Sequence, residues 1–377
     1  MAVLTEEQTM LRDAARSWAQ ESAPVSALRK LRNEGTKASF DAAAWSEMGQ
    51  MGWAGVVVPE AHDGSGFGYL GLGLILEETG KTLAASPLLS TALIAASALE
   101  LGGSDAQKAA WLPKIASGEL VATLAVDEHA HHNPTRISLI AGEKGNGFVL
   151  NGTKTFVLDG AAADLLIVAA RTGGTTGDTD GITLFLVPAH APGVTRTHLA
   201  LADSRGAARI VFDGVEVGAD AVLGEVGKGW AILEPVLDRA YAGLAAEMLG
   251  TATAAFEITL DYLKTRTQFG QVIGTFQALQ HRAAKWFTDL ETTRSCVEAA
   301  LEALDAGADT RALASLAKAK ASEVLHLASN EMVQMHGGIG MTDEHDAGLY
   351  MKRARVAEAL FGAAAFHRDR YARLMGF

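Results

Sequence analysis

The sequence contains a single cysteine, Cys296, in 377 residues, so an internal disulfide is excluded. This scarcity fits a reducing compartment, because disulfides form and persist mainly in oxidising ones. No apolar run reaches the roughly 20 residues that a membrane helix needs. The first twenty residues have helical spacing rather than the basic-then-apolar order of a signal peptide. Together these absences predict a cytoplasmic protein without a membrane span.

Basic residues are also in short supply. The chain has 32 lysines and arginines against 44 acids, which gives a formal net charge of −12. Because a surface that binds a nucleic-acid backbone needs a basic face, nucleic acid is disfavoured as a partner. A few local arginines would still suffice for a small phosphate-bearing ligand. With 49% hydrophobic and 20% charged residues, the chain is long and apolar enough for a large core.

Three regions of different periodicity follow one another. Residues 1–118 are mostly helical in pattern, residues 119–222 predict a β-domain, and residues 223–377 return to the helical period. Within the β-domain, Asn151-Gly152 between apolar alternations predicts a hairpin turn. The last region predicts a bundle of four long helices, at 230–265, 277–307, 311–336 and 347–375.

The densest group of chemically active side chains is QMHGGIGMTDEHD, residues 334–346. A zinc site is disfavoured there, because His336 and His345 flank a glycine loop with no cysteine and no third histidine nearby. Gly337 and Gly338 permit close approach of a ligand to the backbone, as phosphate-binding loops do. The three acids that follow precede a predicted helix, where capping and dipole compensation explain them.

Two further segments have competing interpretations. In RTQFGQVIGTFQALQH, Arg266 is a fork-shaped donor suited to phosphate oxygens, and Gln277 lies near a helix N-terminus that favours anions. An ordinary helix–helix connection with a surface arginine would have the same pattern. In HAHHN, residues 129–133, three histidines suit either a metal or, more simply, a solvated loop.

These segments resemble the acyl-CoA dehydrogenase family over nearly the whole chain, as do GWAGVVVPEAHDGSGFG, LNGTKTFVLDGAAADLLIVAAR and VFDGVEVGADAVLGEVGKGW. The segments HGGIGMTDEHDAGLYMKRA and LAAEMLG resemble those of the small subunit of pimeloyl-CoA dehydrogenase-type enzymes. The resemblance implies a mixed α and β fold, mainly α. Its parts would be an N-terminal helical domain (1–118), a central β-barrel (119–222) and a C-terminal four-helix bundle (223–377).

The resemblance also implies FAD, held between the barrel and the bundles of two subunits. An acyl-CoA would be the substrate, and an electron-transfer flavoprotein or similar acceptor would take the electrons. The assembly would be a homodimer or homotetramer, or a heterotetramer with a homologous subunit. The implied FAD contacts in the bundle are Arg266 at the pyrophosphate, Gln268 and Phe269 beside it, Gln277 near the adenosine, and Gln334, Gly337 and Gly338 at the adenine and pyrophosphate.

On the barrel, the sequence departs from the family pattern. Phe156 and Leu158 stand where the family places Trp and Thr against the flavin, so packing is kept and a hydroxyl contact at flavin N5 is lost. The family segment TEP…GSD is replaced here by VDEHAHHNPTR. Val126, Asp127 and the loop after them must therefore make different contacts with flavin and substrate.

The family reaction removes a proton from the α-carbon of a thioester while a hydride leaves the β-carbon for flavin N5. The family supplies a glutamate base at one of two positions, which here hold Phe361 and Ala240. Two acids remain as substitutes, Glu247 about two helical turns after Ala240 and Glu358 about one turn before Phe361. For both acids, an ion pair is the alternative role.

Near the expected CoA end lie Asp238 and Arg239, and Tyr241 holds the position of a family arginine. The predicted function is FAD-dependent α,β-desaturation of an acyl-CoA thioester, by this chain alone or in a heteromer whose partner supplies the base. One alternative is another flavin reaction on the same fold, of desulfinase or monooxygenase type. A second alternative is a non-catalytic subunit that completes a shared FAD site.

Overall fold

A computed structural model of the protein describes residues 4–35 and 40–377. Helices cover most of the first and last thirds of the chain, and strands occupy the middle. The helices are α1 Glu6–Glu21, α2 Val25–Glu34, α3 Ala42–Gln50, α4 Tyr69–Lys81, α5 Ala96–Gly102, α6 Asp105–Ala116, α7 Trp230–Thr265, α8 Gln277–Asp305, α9 Arg311–His336, α10 Ala347–Ala359 and α11 Ala364–Leu374. A π-helix, Leu88–Ala95, precedes α5.

The strands form one mixed sheet and a small hairpin. The sheet has the order β6-β7-β3-β2-β4-β5-β8, and β1 pairs in parallel with β4. The hairpin consists of β9 and β10. The strands are β1 Ala122–Ala125, β2 Ile140–Lys144, β3 Gly147–Leu158, β4 Leu165–Arg171, β5 Ile182–Pro188, β6 Val194–Ala200, β7 Gly206–Gly218, β8 Val222–Leu223, β9 Thr267–Gln268 and β10 Gln271–Val272.

The predicted hairpin at Asn151-Gly152 is wrong. Both residues lie inside the continuous strand β3, and the turn that joins β2 to β3 is at Gly145, where φ is 60°. Gly152 instead marks a register shift against β7. The Asn151 side chain accepts a hydrogen bond from the N–H of Gly214 on β7. Cross-strand bonding thus overrides the local turn signal.

The predicted single helix over 347–375 is also wrong, because it divides into α10 and α11. The break includes Phe361 and Gly362, whose φ values of 53° and 98° cannot continue a right-handed helix. Helices α7 and α9 match their predicted bounds, and α8 ends two residues earlier than predicted, at Asp305.

The chain forms two compact units that are each assembled from separated segments. One comprises Met1–Arg29, Tyr69–Ala84 and Tyr241–Phe377, and the other comprises Lys30–Gly68 and Ala85–Ala240. The first unit is helical, with α9 packed against α8, α10 and α11. The second contains the main sheet, in which every residue of β4 is buried, as expected for a strand covered on both faces.

Glycine allows two helices of the first unit to cross closely. A Cβ at Gly250 of α7 would lie 1.8 Å from the carbonyl oxygen of Glu77 on α4, and one at Gly80 would lie 2.3 Å from that of Glu247. The backbones could not approach this far with larger residues. Across the residues that the structure describes, no helix combines the length and apolarity needed to cross a membrane.

Candidate functional site

The hairpin after α7 presents an aromatic ring to solvent. Gln268 on β9 pairs with Gln271 on β10, and the tip residues Phe269 and Gly270 have φ values of 54° and 78°. Two left-handed residues in succession suit a tight two-residue hairpin turn. Phe269 is 91% exposed, so its whole ring is available to a ligand or a partner chain.

Arg266 stands at the base of this hairpin with its side chain uncommitted. Its backbone N–H donates to the carbonyl of Tyr262 at 2.9 Å, and its carbonyl accepts from Ile273 at 2.9 Å. The side chain is exposed, and within residues 4–35 and 40–377 it has no hydrogen-bond or ion-pair partner. A fixed backbone with an unoccupied guanidinium suits an anionic ligand. Gln277, exposed at the start of α8, adds a helix N-terminus.

An apolar cluster links the hairpin to the end of α9. Its buried members are Leu263, Ile273 and Met335, and Tyr262 and other partly buried residues pack around them. The Tyr262 ring also lies 4.4 Å from the imidazole of His336, centre to centre, and its hydroxyl donates to the His336 carbonyl at 3.4 Å. The cluster therefore brings the Arg266 segment and the 334–338 segment onto one part of the helical unit.

The glycine turn after α9 is open to a ligand. Gly337 has φ 63° and ψ −135°, a backbone region that only glycine occupies readily. A Cβ placed at Gly337 or Gly338 would meet no atom within 4 Å, and both glycines and Gln334 are exposed. The conformation needs glycine at 337, and the space around the turn is empty. The turn can thus bring backbone amides against a bound anion.

The two histidines of this motif lie next to each other. His336 donates from Nδ1 to the Met332 carbonyl at 2.7 Å, and its ring centre lies 4.3 Å from that of His345. Burial lowers the pKa of His336, which favours its neutral form. In the described part of the chain, no group of three or more His, Cys, Asp or Glu side chains is placed to hold a metal ion.

The acids after the glycine turn have a structural role. Asp346 stands at the N-cap position of α10, but its side chain makes no capping hydrogen bond. It accepts instead from Arg29 at 2.7 and 2.9 Å, and Arg29 also donates to the Asp343 carbonyl at 2.6 Å. These contacts hold the segment between the glycine turn and α10 in place.

On the sheet unit, the two predicted flavin-packing residues differ in exposure. Phe156 lies in a register shift between β3 and β7, has φ 52° and is 43% exposed. Leu158 is only 3% exposed, and its neighbour Val157 is 2% exposed. The bulge therefore presents Phe156 outward and leaves Leu158 in the core, so a cofactor contact by Leu158 stays a prediction.

The loop after β1 is held by a buried ion pair. Lys154 on β3 is fully buried, and its Nζ donates to Glu128 at 2.7 Å and to the Val126 carbonyl at 2.9 Å. Burial lowers the pKa of Lys154, against the attraction of Glu128. Burial acts to raise the pKa of Glu128, but attraction and hydrogen bonding by Lys154 lower it overall. The pair fixes where the substituted loop begins.

Three protein-family models match this chain. They are the acyl-CoA dehydrogenase N-terminal domain over residues 5–119, the middle domain over 125–215 and the C-terminal domain over 227–376. The chain is 32% identical over 372 residues to the mitochondrial isovaleryl-CoA dehydrogenase of Pongo abelii, covering 97% of this chain and 88% of that protein. The chain belongs to the acyl-CoA dehydrogenase family. Its predicted three-domain family fold is thereby confirmed, while the proposed domain boundaries stay a prediction.

Two solved structures of this family bear on assembly. The Tcur3481–Tcur3483 steroid ACAD G363A variant has a TM-score of 0.89 and 33% identity, with 98% of each chain covered. The ChsE4–ChsE5 complex from Mycobacterium tuberculosis has a TM-score of 0.90 and 28% identity, with 100% of each chain covered. Similarity therefore extends over the whole chain in both.

Phe361, which the family resemblance predicts to stand at one of the two base positions, lies in the turn between α10 and α11. Phe361 is 7% exposed, and its carbonyl accepts from Nε2 of the buried His367 at 3.0 Å. Lys318 of α9 donates from Nζ to the Gly362 carbonyl at 2.9 Å and to Ser322 Oγ at 3.1 Å. Burial lowers the pKa of Lys318 to about 7. Lys318 and His367 thus hold main-chain carbonyls of the turn, and the loss of a base at residue 361 stays a prediction.

Ala240 of α7, which the family resemblance predicts to be the second base position, is fully buried. Of the three predicted CoA-end residues, Asp238 and Tyr241 are also buried, at 2% and 1% exposure. The Tyr241 ring packs edge-on to His367 at 4.6 Å and under the guanidinium of Arg370 at 5.5 Å. Arg239 is the partly exposed member of the three, and it donates to the Pro235 carbonyl at 2.9 Å.

Both substitute acids form ion pairs. Glu247 is 4% exposed and bonds to Nη1 of Arg353, which is 1% exposed, at 3.1 Å. Arg353 also donates to the Leu83 carbonyl at 3.4 Å. Glu358 bonds to Arg355 at 3.0 Å and to His326 at 3.1 Å. Each carboxylate is thus engaged by a cationic or imidazole partner within its own unit.

Sequence reasoning missed Lys318, Arg353 and His367, which organise this region. In a helix with ordinary apolar periodicity, the sequence does not distinguish a buried lysine or arginine from an exposed one. The spacing of Lys318 to Ser322, four residues on one helix face, is the single local signal. The carbonyls that Lys318 contacts lie 40 and 44 positions away, and Glu247, the partner of Arg353, lies 106 positions away, so only the folded chain reveals these contacts.

Proposed function

We propose that this acyl-CoA dehydrogenase family member is an FAD-binding subunit that takes part in the α,β-desaturation of an acyl-CoA thioester, with the base supplied by a homologous partner subunit. The contrast between two places carries the proposal. Arg266, Phe269 and Gly337 offer an open surface to a dinucleotide, whereas Phe361 fills the base position with an apolar ring.

The residues present fit FAD. An unoccupied guanidinium and a glycine turn with empty space suit a diphosphate, and the outward ring of Phe156 suits packing against a flat ring system. When bound, FAD would accept the hydride that leaves the substrate β-carbon. In the bundle Arg266, Gln268, Phe269, Gln277, Gln334, Gly337 and Gly338 would hold the cofactor.

A partner subunit is favoured because Glu247 and Glu358 are already engaged. Desaturation requires a carboxylate that takes the α-proton while the double bond forms. A carboxylate bound to a buried arginine would have to break that pair first, which is costly in a dry interior. The similarity to the ChsE4–ChsE5 complex supports assembly with a second chain. Heterotetramer formation is thus preferred here to a homodimer or homotetramer.

The acyl-CoA is proposed to meet the chain at Arg239, whose side chain is partly exposed. Asp238 and Tyr241 would support that part of α7 from the core, since both are buried. A bulky acyl group is favoured by the similarity to a steroid ACAD. An electron-transfer flavoprotein or a similar carrier would accept the electrons, and a cytoplasmic location, which the single cysteine suggests, stays a prediction.

The test is to purify the chain alone and co-expressed with a homologous subunit encoded beside it. Flavin absorbance is measured first, and then oxidation of short, branched and steroid-sized acyl-CoAs with an artificial electron acceptor. Turnover by the complex and not by the lone chain is the expected result. Robust turnover by the lone chain would remove the partner requirement. FAD-loaded complex that oxidises none of these substrates would instead favour another flavin reaction or a silent subunit.

A further inference from the structure

The loop that replaces the family's TEP…GSD segment carries two neighbouring carboxylates with different roles. Glu128 accepts hydrogen bonds from Lys154 at 2.7 Å, from Ser138 N–H at 2.8 Å and from Leu139 N–H at 3.0 Å. Its oxygens are therefore consumed in holding the loop to the sheet. Asp127 makes none of these contacts, and its side chain has different partners.

Asp127 is bound to a buried histidine. His132 Nδ1 donates to both carboxylate oxygens of Asp127, at 2.8 and 3.1 Å, and the N–H of Asn133 donates to one of them at 3.2 Å. The His132 side chain is 1% exposed, and that of Asp127 is 18% exposed. His129 and His131, in the same motif, are exposed. The three histidines are thus not one solvated cluster, because the loop folds inward to place His132 alone against a carboxylate.

The backbone ties this pair to the exposed aromatic ring of the sheet unit. The Asp127 carbonyl accepts from the N–H of Thr155 at 2.8 Å, and the next residue, Phe156, is the one that the bulge turns outward. The carboxylate that reaches the surface therefore belongs to a residue bonded directly to the segment proposed to pack on the flavin.

The charged groups around the pair are already balanced. Glu128 on the loop is paired with Lys154 on β3, and Arg171 on β4 donates to the carbonyls of Ile137 and Thr135, farther along the same loop. Against this background, the Asp127 carboxylate is the charge of the pair that a substitution can remove without breaking the Glu128–Lys154 ion pair. A change of one charge in a partly dry site alters the electrostatic potential of whatever covers it.

We propose that the hydrogen-bonded pair of Asp127 and His132 positions the loop beside the flavin-covered face of the barrel, and that the charge of Asp127 tunes the absorption and reduction of the bound flavin. The proposal rests on the proposed function insofar as FAD must bind. It does not require that the chain desaturate any acyl-CoA.

The test uses the full-length chain loaded with FAD, with its partner subunit where loading needs one. Flavin absorption and midpoint potential are measured at one pH. Asp127→Asn removes a negative charge and should shift the absorption band and raise the midpoint potential. His132→Gln removes the ring that holds the carboxylate and should also change both values. His131→Gln, the matched exposed neighbour, should leave both values as in the wild type.

Three outcomes separate the possibilities. Superimposable spectra and equal midpoint potentials of wild type, Asp127→Asn and His132→Gln would overturn the pair's role while leaving the proposed function intact. Should Asp127→Asn fail to fold, His132→Gln alone decides, because it keeps the carboxylate and removes only its imidazole partner. A protein that takes up no FAD, alone or with its partner, overturns this proposal and the proposed function together.

Discussion

The helical unit contains two regions that differ in how accessible their residues are to a ligand. Around the hairpin tip and the glycine turn, Phe269 is 91% exposed and no atom lies within 4 Å of a Cβ built at Gly337. Around Phe361, the ring is 7% exposed, and Lys318 and His367 hold the turn from within. The first region leaves room for a ligand, and the second is filled by the protein's own side chains. The proposed function assigns the cofactor to the first region and the missing base to the second.

The largest expected effect tests the closed region. Phe361→Glu should raise acyl-CoA oxidation by the FAD-loaded chain by about 100-fold or more, because a positioned general base contributes roughly 10²–10⁴-fold. The measurement is initial rate with an artificial acceptor. Phe361→Gln is the matched control, since it is nearly the same size and has no carboxylate. Equal rates for the Glu and Gln variants would show that residue 361 does not face the substrate.

A second prediction asks whether Glu247 is structural. Arg353→Met leaves Glu247 buried without its partner and should lower the free energy of unfolding by about 3–5 kcal/mol. Denaturant unfolding measures this effect. The double variant Glu247→Leu with Arg353→Met removes both charges and should recover most of the loss. If the single variant is as stable as the wild type while desaturation is lost, the pair belongs to catalysis instead.

A third prediction tests the open region. Arg266→Ala should weaken FAD binding by roughly 10- to 150-fold, the range for losing hydrogen bonds to a charged group worth about 1.5–3 kcal/mol. Equilibrium dialysis or flavin fluorescence gives the dissociation constant. Lys264→Ala, in the last turn of α7, removes the same charge nearby and should change the affinity little. Equal weakening by both variants would point to net charge rather than a direct contact.

The smallest effect concerns the interior of the closed region. The pKa of Lys318 is lowered to about 7, below its usual value near 10.4 in an unfolded chain. Between these values the unfolded state binds more protons, so stability should rise with pH, by up to about 1.4 kcal/mol per pH unit. Unfolding free energies at several pH values above 7 measure the slope. Lys318→Met should flatten it, and an unchanged slope would exclude this lysine as its source.

Sequence could predict the open region far better than the closed one. Arg266, Gly337 and Gly338 belong to short segments whose chemistry is local, and their exposure follows from turn residues that the sequence displays. Helix bounds such as Trp230–Thr265 were likewise predictable from the apolar period. The pairing of Glu247 with Arg353 was not, because it joins residues 106 positions apart and periodicity carries no information on partners.

Two errors have the same physical origin. Asn151-Gly152 has the composition of a turn, but bonds from β7 hold it inside a strand. Residues 347–375 have an unbroken helical period, yet Phe361 adopts a left-handed backbone stabilised by groups on α9 and α11. In both places contacts from distant segments outweigh the local preference.

The turn at Phe361 also bears on how such a chain could change its chemistry. Lys318 and His367 bind main-chain carbonyls, so these two contacts do not depend on which side chain residue 361 carries. A single codon change there could remove or restore an acid and leave both contacts in place. After gene duplication, one copy could therefore keep the acid while the other keeps only its cofactor contacts. Because the change is confined to one residue, it could also be reversed.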